Sequence, residues 1–462
     1  MVEESYLEAV LAYIEENRQR YVDELVEIVR IPSISSSSAH REDVRRCAEY
    51  LRQKMVESGL TRAEVMPTGG HPVVYGEWLG APGKPTILIY GHYDVQPVEP
   101  LSEWITPPFE ATVRDGALYG RGTTDDKGQV YIHLKAVEAW LRTAGSLPLN
   151  VKFIVEGEEE IGSEHLEEFL AAHRDLLQAD IVVISDTPML ERGLPSICYG
   201  LRGLTYMEVE VRGPSVDLHS GSFGGAVANP ANVLCEIIAQ LKGPDGRVKI
   251  PGFYDRVRRL GRRERAQLRQ LPFVESEFLR LTGSPALTGE RGFATLERIW
   301  ARPTLDVNGL VSGHTAEGAK TIIPARALAK ISMRLVPDQD PEEIARLFEN
   351  YVRQIAPPTV TVEVRKLSTG RPFLAPYEHP AFQAASRALA KGFGRQAVFI
   401  REGGSIPFVA TIHQILARPC LLLGFGLPDE NSHAPNEWLS LENYHQGIVS
   451  VAHLLVELAR VL

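Results

Sequence analysis

The stretch VKFIVEGEEEIGS, residues 151–163, joins an apolar run, Phe153, Ile154 and Val155, to four carboxylates in five positions, Glu156, Glu158, Glu159 and Glu160. A short apolar run bounded by turn residues reads as a buried strand. Charges crowded at its end resist desolvation unless cations or hydrogen-bond donors sit among them; taken alone, such an acidic run reads as a solvated loop. The same juncture recurs along the chain. TILIY (86–90) runs into GHYDVQP with His92 and Asp94, IVVIS (181–185) into Asp186, and CLLLGF (420–425) through LPDENSH to His433. Longer helical patterns separate these runs, which predicts an α/β domain with a mostly parallel sheet. In such sheets ligands gather beyond the carboxyl ends of the strands. LYGRGTTDDKG adds Asp125 and Asp126, after a glycine-rich turn and before a helix expected near Lys127.

A chain of 462 residues exceeds one ordinary core, so two or three domains are expected. From residue 203 the texture changes. LTYMEVEVRG alternates like a strand with one face exposed, NPANVLCEIIAQLKG has helical spacing, and strand and helix patterns return in ALAKISMRLVP, DPEEIARLFENYVRQIA and TVTVEVRKL. Strands with helices on one face make an α+β insert. The predicted organisation is a first part of the α/β domain at 1–202, the insert at 203–371, and the second part at 372–462.

A net charge of −10 argues against a general polyanion binder. The arginine-rich DRVRRLGRRERAQLRQ lacks aromatic interleaving and reads as a solvated helix face. Cys47, Cys198, Cys235 and Cys420 form no metal-ligand spacing, so free thiols in a reducing compartment are expected. The acidic N-terminus does not look like a secretory signal, and no apolar run approaches a membrane span. A soluble, cytoplasmic protein with neither nucleic-acid nor membrane partners is the expectation.

Two histidines and three or more carboxylates at strand ends suit a pair of divalent metal ions, zinc first, with manganese or cobalt as alternatives. GRGTTDDKG lacks the Walker pattern and follows no long apolar strand, which disfavours a phosphate loop.

GHYDVQP, LYGRGTTDDKG, EGEEEIGS, ISDTPM, DLHSG, SMRLVP, REGGSIP and HAPNE occur in an order that resembles the dinuclear zinc exopeptidases related to carnosine dipeptidases, carboxypeptidase G and acetylornithine deacetylase/succinyl-diaminopimelate desuccinylase. The carnosinase-like dipeptidases are the most similar branch. The resemblance spans residues 92–437 and implies a zinc-exopeptidase catalytic domain with an inserted, ferredoxin-like lid and dimerisation domain. By position it implies that Asp125 bridges two metals, that His92 and Asp186 complete one site, and that Glu160 and His433 complete the other. Glu159 falls on the general base, and Asp94 on the carboxylate that orients the His92 imidazole. His219 matches the lid histidine that reaches across a homodimer to polarise the scissile carbonyl, and Arg334 a clamp for the substrate carboxylate. Thr321, Ser405, Gly403 and Gly404 fall on further substrate contacts, the two glycines letting backbone approach closely.

The expected function is a metal-dependent dipeptidase, hydrolysing dipeptides or short peptides with a water or hydroxide shared by two divalent metals. Asp at position 186 sides with dipeptidases in that resemblance. An N-acyl amino acid deacylase of the deacetylase or desuccinylase type would use the same machinery; a dinuclear phosphoesterase and a non-catalytic metal-binding relative are the other readings. Glu156 and Glu158 match no catalytic position and keep the solvated-loop reading.

Overall fold

A computed structural model describes residues 2–462, with side chains from residue 6 onward. The contacts divide the chain into two units, one of residues 1–199, 375–400 and 408–462, the other of 200–374 and 401–407. The expected insert was 203–371; the second unit also takes the separate segment 401–407.

The first unit is built on a sheet whose centre is parallel. Asn150–Glu156 pairs in parallel with Thr86–His92, which pairs in parallel with Ile181–Ile184, which pairs in parallel with Cys420–Gly424. Antiparallel strands flank these, Val73–Trp78 and Arg62–Met66 on one side and Ser196–Leu201 on the other. All seven residues of Asn150–Glu156 are buried, as are the four of Ile181–Ile184, because helices cover both faces of a parallel sheet. Among them are Gly128–Ala144 and Pro380–Phe393, each of which packs on Leu441–Ala459. Parallel register aligns the carboxyl ends: His92 pairs with Glu156, one strand over.

The second unit runs strand, helix, strand, strand, helix, strand: Gly203–Arg212, Pro230–Leu241, Thr304–Ser312, Arg326–Leu335, Pro341–Ile355 and Thr361–Gly370. In space the strands lie second, third, first, fourth, all antiparallel, which is the ferredoxin-like arrangement. Alternation puts Met207, Val209 and Val211 on one face with Ala329, Ile331 and Met333, where Leu234, Ile237, Ile344 and Phe348 of the two helices cover them. Between the first helix and the second strand the arginine-rich segment forms a helix at Arg262–Gln270. Arg262, Arg263 and Arg269 are exposed there, while Arg265 makes a two-pronged pair with buried Glu297 at 2.7 and 2.8 Å. Among the described residues no helix is long and apolar enough to cross a membrane, and none of the four cysteines forms a disulfide.

Candidate metal centre

His92 closes its strand fully buried. Its Nδ1 lies 3.1 Å from the Asp94 carbonyl and 3.3 Å from the Asp94 carboxylate, so the backbone oxygen is the nearer of the two groups that orient the ring. The Asp94 carboxylate has a second task, accepting the N–H groups of Glu159 at 3.2 Å and Glu160 at 3.1 Å. One buried aspartate therefore ties the end of the Thr86–His92 strand to the acidic turn that follows Asn150–Glu156.

That turn is a single 3-10 segment, Glu159–Ile161, closed by Gly162 at φ 97°, a left-handed conformation that glycine adopts at little cost. It re-aims the side chains, so strand alternation does not separate Glu159 from Glu160. Glu160 accepts a hydrogen bond from Gln96 at 2.8 Å and lies 3.2 Å from His433 Nε2. The Glu159 carboxylate has no hydrogen bond or ion pair among the described residues.

The solvated-loop reading of Glu156 and Glu158 is wrong, since they are only 3% and 4% exposed. Glu156 accepts from the Tyr90 hydroxyl and, at 2.9 Å, from Ser163 Oγ; burial pushes its carboxyl up to about 7. Glu158 accepts from the His71 N–H at 3.0 Å and faces His165 Nδ1 at 2.8 Å. Charge is tolerated here because donors converge on the turn from Tyr90, Ser163, His165 and the His71 backbone.

Asp125 sits in the turn Thr123–Lys127, entered through Gly122 at φ 85°. Glu437 organises this turn. Its carboxylate accepts from Arg121 Nη1 at 2.8 Å and from the N–H groups of Gly122, Thr124 and Asp125 at 3.0, 3.1 and 3.2 Å. Burial pushes the Glu437 carboxyl up to about 7, with Arg121 and the Gly122 N–H opposing that rise. Glu430 braces the turn from below, through the Thr124 hydroxyl at 2.5 Å. Neither Arg121 nor Glu437 was singled out in the sequence, although both lie inside quoted motifs, GRGTTDDKG and HAPNE. Asp126, completely buried, accepts only from the His92 N–H at 3.2 Å, and its other oxygen has no partner among the described residues.

The result is two groups of three potential ligands sharing one member: His92, Asp125 and Asp186, and Asp125, Glu160 and His433, with each group's ligand atoms within 4.8 Å of one another. One Asp125 oxygen faces His92 Nε2 at 3.1 Å and the other faces His433 Nε2 at 2.9 Å. Asp186 lies 3.9 Å from His92 Nε2. The electrostatics demand positive charge. Burial pushes the carboxyl of Asp186 up to about 6 and those of Glu159 and Glu160 upward, with neighbouring carboxylates adding to it. Hydrogen bonding to Asp125 and Glu160 pushes His433 up to about 10. His92 is raised against the pull of burial by Asp125, Asp186 and Asp94, and Asp125 is lowered against burial by His433 and His92. Two nitrogen donors and three carboxylates, one of them shared, fit a pair of divalent ions of borderline character.

The other candidates lie in the second unit. His219 ends the short strand Leu218–His219, which pairs with Ile322–Ile323; it is exposed, and its Nδ1 accepts from the Gly221 N–H at 3.0 Å. The Thr321 carbonyl accepts from the Ser220 N–H at 3.1 Å, so this ribbon brings His219 and Thr321 close. Arg334 Nη1 donates to Ser405 Oγ at 2.8 Å. Gly403 has a structural reason to lack a side chain, since a Cβ would lie 2.9 Å from the Ile299 carbonyl and 3.1 Å from Arg202 Nη2; at Gly404 the space is open.

Comparison with known proteins matches residues 88–457 to the model of Peptidase family M20/M25/M40. The chain is 33% identical to the Cys-Gly metallodipeptidase dug1 of Schizosaccharomyces pombe, with 98% of this chain and 99% of that protein covered. The solved structure of human carnosine dipeptidase 1 superposes with a TM-score of 0.83 at 30% identity, covering 98% of this chain and 99% of that one. The M20 family metallo-carboxypeptidase Sso-CP2 from Sulfolobus solfataricus superposes with a TM-score of 0.85 at 34% identity, covering 96% and 99%. A parallel sheet with paired ligand groups at its strand ends, matched along nearly the whole chain, places this protein in peptidase family M20/M25/M40, as a hydrolase of the metallopeptidase type.

Proposed function

We propose that the protein hydrolyses the peptide bond of dipeptides, and that two divalent ions would be held by His92, Asp125 and Asp186 in one site and by Asp125, Glu160 and His433 in the other. Two such ions, when bound, would supply Lewis acidity and make water acidic enough to lose a proton near neutral pH. Zinc is the first choice for this donor set, with manganese or cobalt as alternatives. The observation that carries the reading is the shared Asp125, one oxygen toward each ligand group.

Glu159 is the general base. Its carboxylate is unpartnered beside the ligands, and burial raises its affinity for a proton, which suits a group that takes a proton from water and returns it to the leaving amine. Asp94 holds that base in place through the Glu159 N–H and keeps the His92 ring oriented. In the second unit, Arg334 with Ser405 receives the substrate carboxylate, the Gly403–Gly404 backbone lines its approach, and His219 with Thr321 serves the scissile carbonyl. A homodimer through the second unit is supported by exposed apolar residues on an edge strand, Val307, Leu310 and Val311. Four cysteines outside any disulfide favour a reducing, cytoplasmic setting.

The test is turnover of a dipeptide panel beside N-acetyl amino acids by the metal-reconstituted protein and its Glu159→Gln variant. Dipeptide hydrolysis that falls by about 10²–10⁴ in the variant, with metal content retained, is expected. Activity confined to N-acetyl amino acids would make the protein a deacylase, and a fully active variant would remove Glu159 from its role.

A further inference from the structure

The second unit holds two neighbouring guanidiniums, and among the described residues no Asp or Glu side chain forms an ion pair with either. Arg334 donates to Ser405. Arg202 lies where strand Ser196–Leu201 leads into Gly203–Arg212, and it grips the segment that carries Ser405 in two ways. Its backbone N–H donates to the Gly404 carbonyl at 3.2 Å, and its Nε–H donates to the Gly403 carbonyl at 2.9 Å. Its Nη1 is shut off from solvent and has no hydrogen-bond partner among the described residues.

The charge balance is unusual. Burial lowers the affinity of both guanidiniums for their protons, and at Arg202 the adjacent Arg334 adds to it, bringing it down to about 10. Asp306, whose charge both arginines feel, is paired with Lys242 instead, at 3.8 Å. Glu402, half-buried beside them, is pushed up to about 7 by desolvation, so it is a weak counter-charge. A half-buried cation without a paired carboxylate is costly, and two together are costlier, unless the negative charge arrives from outside. A carboxylate docked on Arg334 and Ser405 would relieve both arginines. A neutral group in the same place would relieve neither.

We propose that Arg202 is a specificity-determining positioning residue: by holding Gly403–Gly404 and adding a second unneutralised charge beside Arg334, it makes hydrolysis depend on a free C-terminal carboxylate in the substrate. This rests on the dipeptidase reading. Arg202 acts through its neighbours: its Nε–H holds the Gly403 carbonyl, and its free Nη1 is enclosed.

The experiment compares kcat and KM for Ala-Gly and for Ala-Gly amide in the manganese-reconstituted wild type, Arg202→Met and Arg202→Lys. The wild type should prefer the acid. In Arg202→Met the acid-to-amide ratio of kcat/KM should fall about tenfold or more, chiefly through KM for the acid, while Arg202→Lys, which keeps the charge, recovers part of the ratio. A merely structural role lowers both substrates together and leaves the ratio alone, so an unchanged ratio in Arg202→Met overturns the proposal. If Arg202→Met does not fold, Arg202→Lys decides, a wild-type ratio and KM overturning it. A wild type that cleaves no dipeptide defeats the dipeptidase reading itself, which is distinguishable from an active wild type whose preference ignores Arg202.

Discussion

Glu437→Gln changes one oxygen to an amide nitrogen at a completely buried position, and four donors register the change. Glutamine keeps the shape but has one acceptor oxygen instead of two and no charge. Arg121, itself 1% exposed, would then be a buried cation facing a neutral group. Breaking one side of a buried ion pair costs about 3–5 kcal/mol. The turned amide also leaves one oxygen's pair of N–H donors facing an NH2 group, worth about 1–3 kcal/mol each if unpaired, although relaxation shares this loss with the first. A loss of about 3–5 kcal/mol is therefore expected for the first unit, and the Asp125 turn should loosen with it. Urea unfolding followed by tryptophan fluorescence reads the first effect, with exposed Glu442→Gln as a control expected within about 0.5 kcal/mol of wild type. Titration with zinc reads the second, where a loss of about 10–100-fold in affinity is expected for a group that orients a ligand. If Glu437→Gln unfolds at the wild-type midpoint and binds zinc as tightly, the carboxylate does not hold the Asp125 turn.

Other outcomes follow from the same geometry. Gly70→Ala would place a Cβ 1.7 Å from Glu158 Oε1, so the loop over the acidic turn must move; a loss of about 1–3 kcal/mol in thermal or urea unfolding is expected. His133 is buried against Ser185 Oγ at 2.7 Å, and burial alone lowers it to about 3 from 6.5. The unfolded chain binds this proton first as pH falls, so stability from this group is intact above pH 6.5 and declines by about 1.4 kcal/mol per unit on going down toward pH 3. Urea unfolding of His133→Leu between pH 6 and 4 should show a slope smaller by one proton; equal slopes would mean His133 titrates normally in the fold. Chelation should lower the melting temperature and added zinc restore it, since about 4 kcal/mol of linkage is expected at a thousandfold excess over Kd. A melting temperature indifferent to chelator and zinc alike would show that the five ligands do not hold ions tightly.

How much of the centre was legible in the chain differs from residue to residue. His92, Glu160 and Asp186 follow apolar runs that can only be buried strands, and a parallel sheet aligns the ends of such strands, so local pattern sufficed to bring them to one edge. Glu156 and Glu158 were misread because their burial depends on donors from Tyr90, Ser163, His71 and His165, two of which belong to segments more than sixty residues earlier. Glu437 is similar: its partners at 121–125 lie more than three hundred positions upstream, and an isolated glutamate carries no sign of that.

The amino-acid sequence by itself determined the alternation of buried strands and helices, the change to a one-faced sheet after residue 203, and the types of side chain available at each strand end. These are local properties, set by hydrophobic period and turn chemistry. Only the tertiary structure decided which acidic residues are buried, which donors pay for their desolvation, and that residues 401–407 belong with the second unit, where Arg202 grips them. Those outcomes depend on which distant segments meet, and the free energy of a buried charge is set by its neighbours in space rather than in sequence.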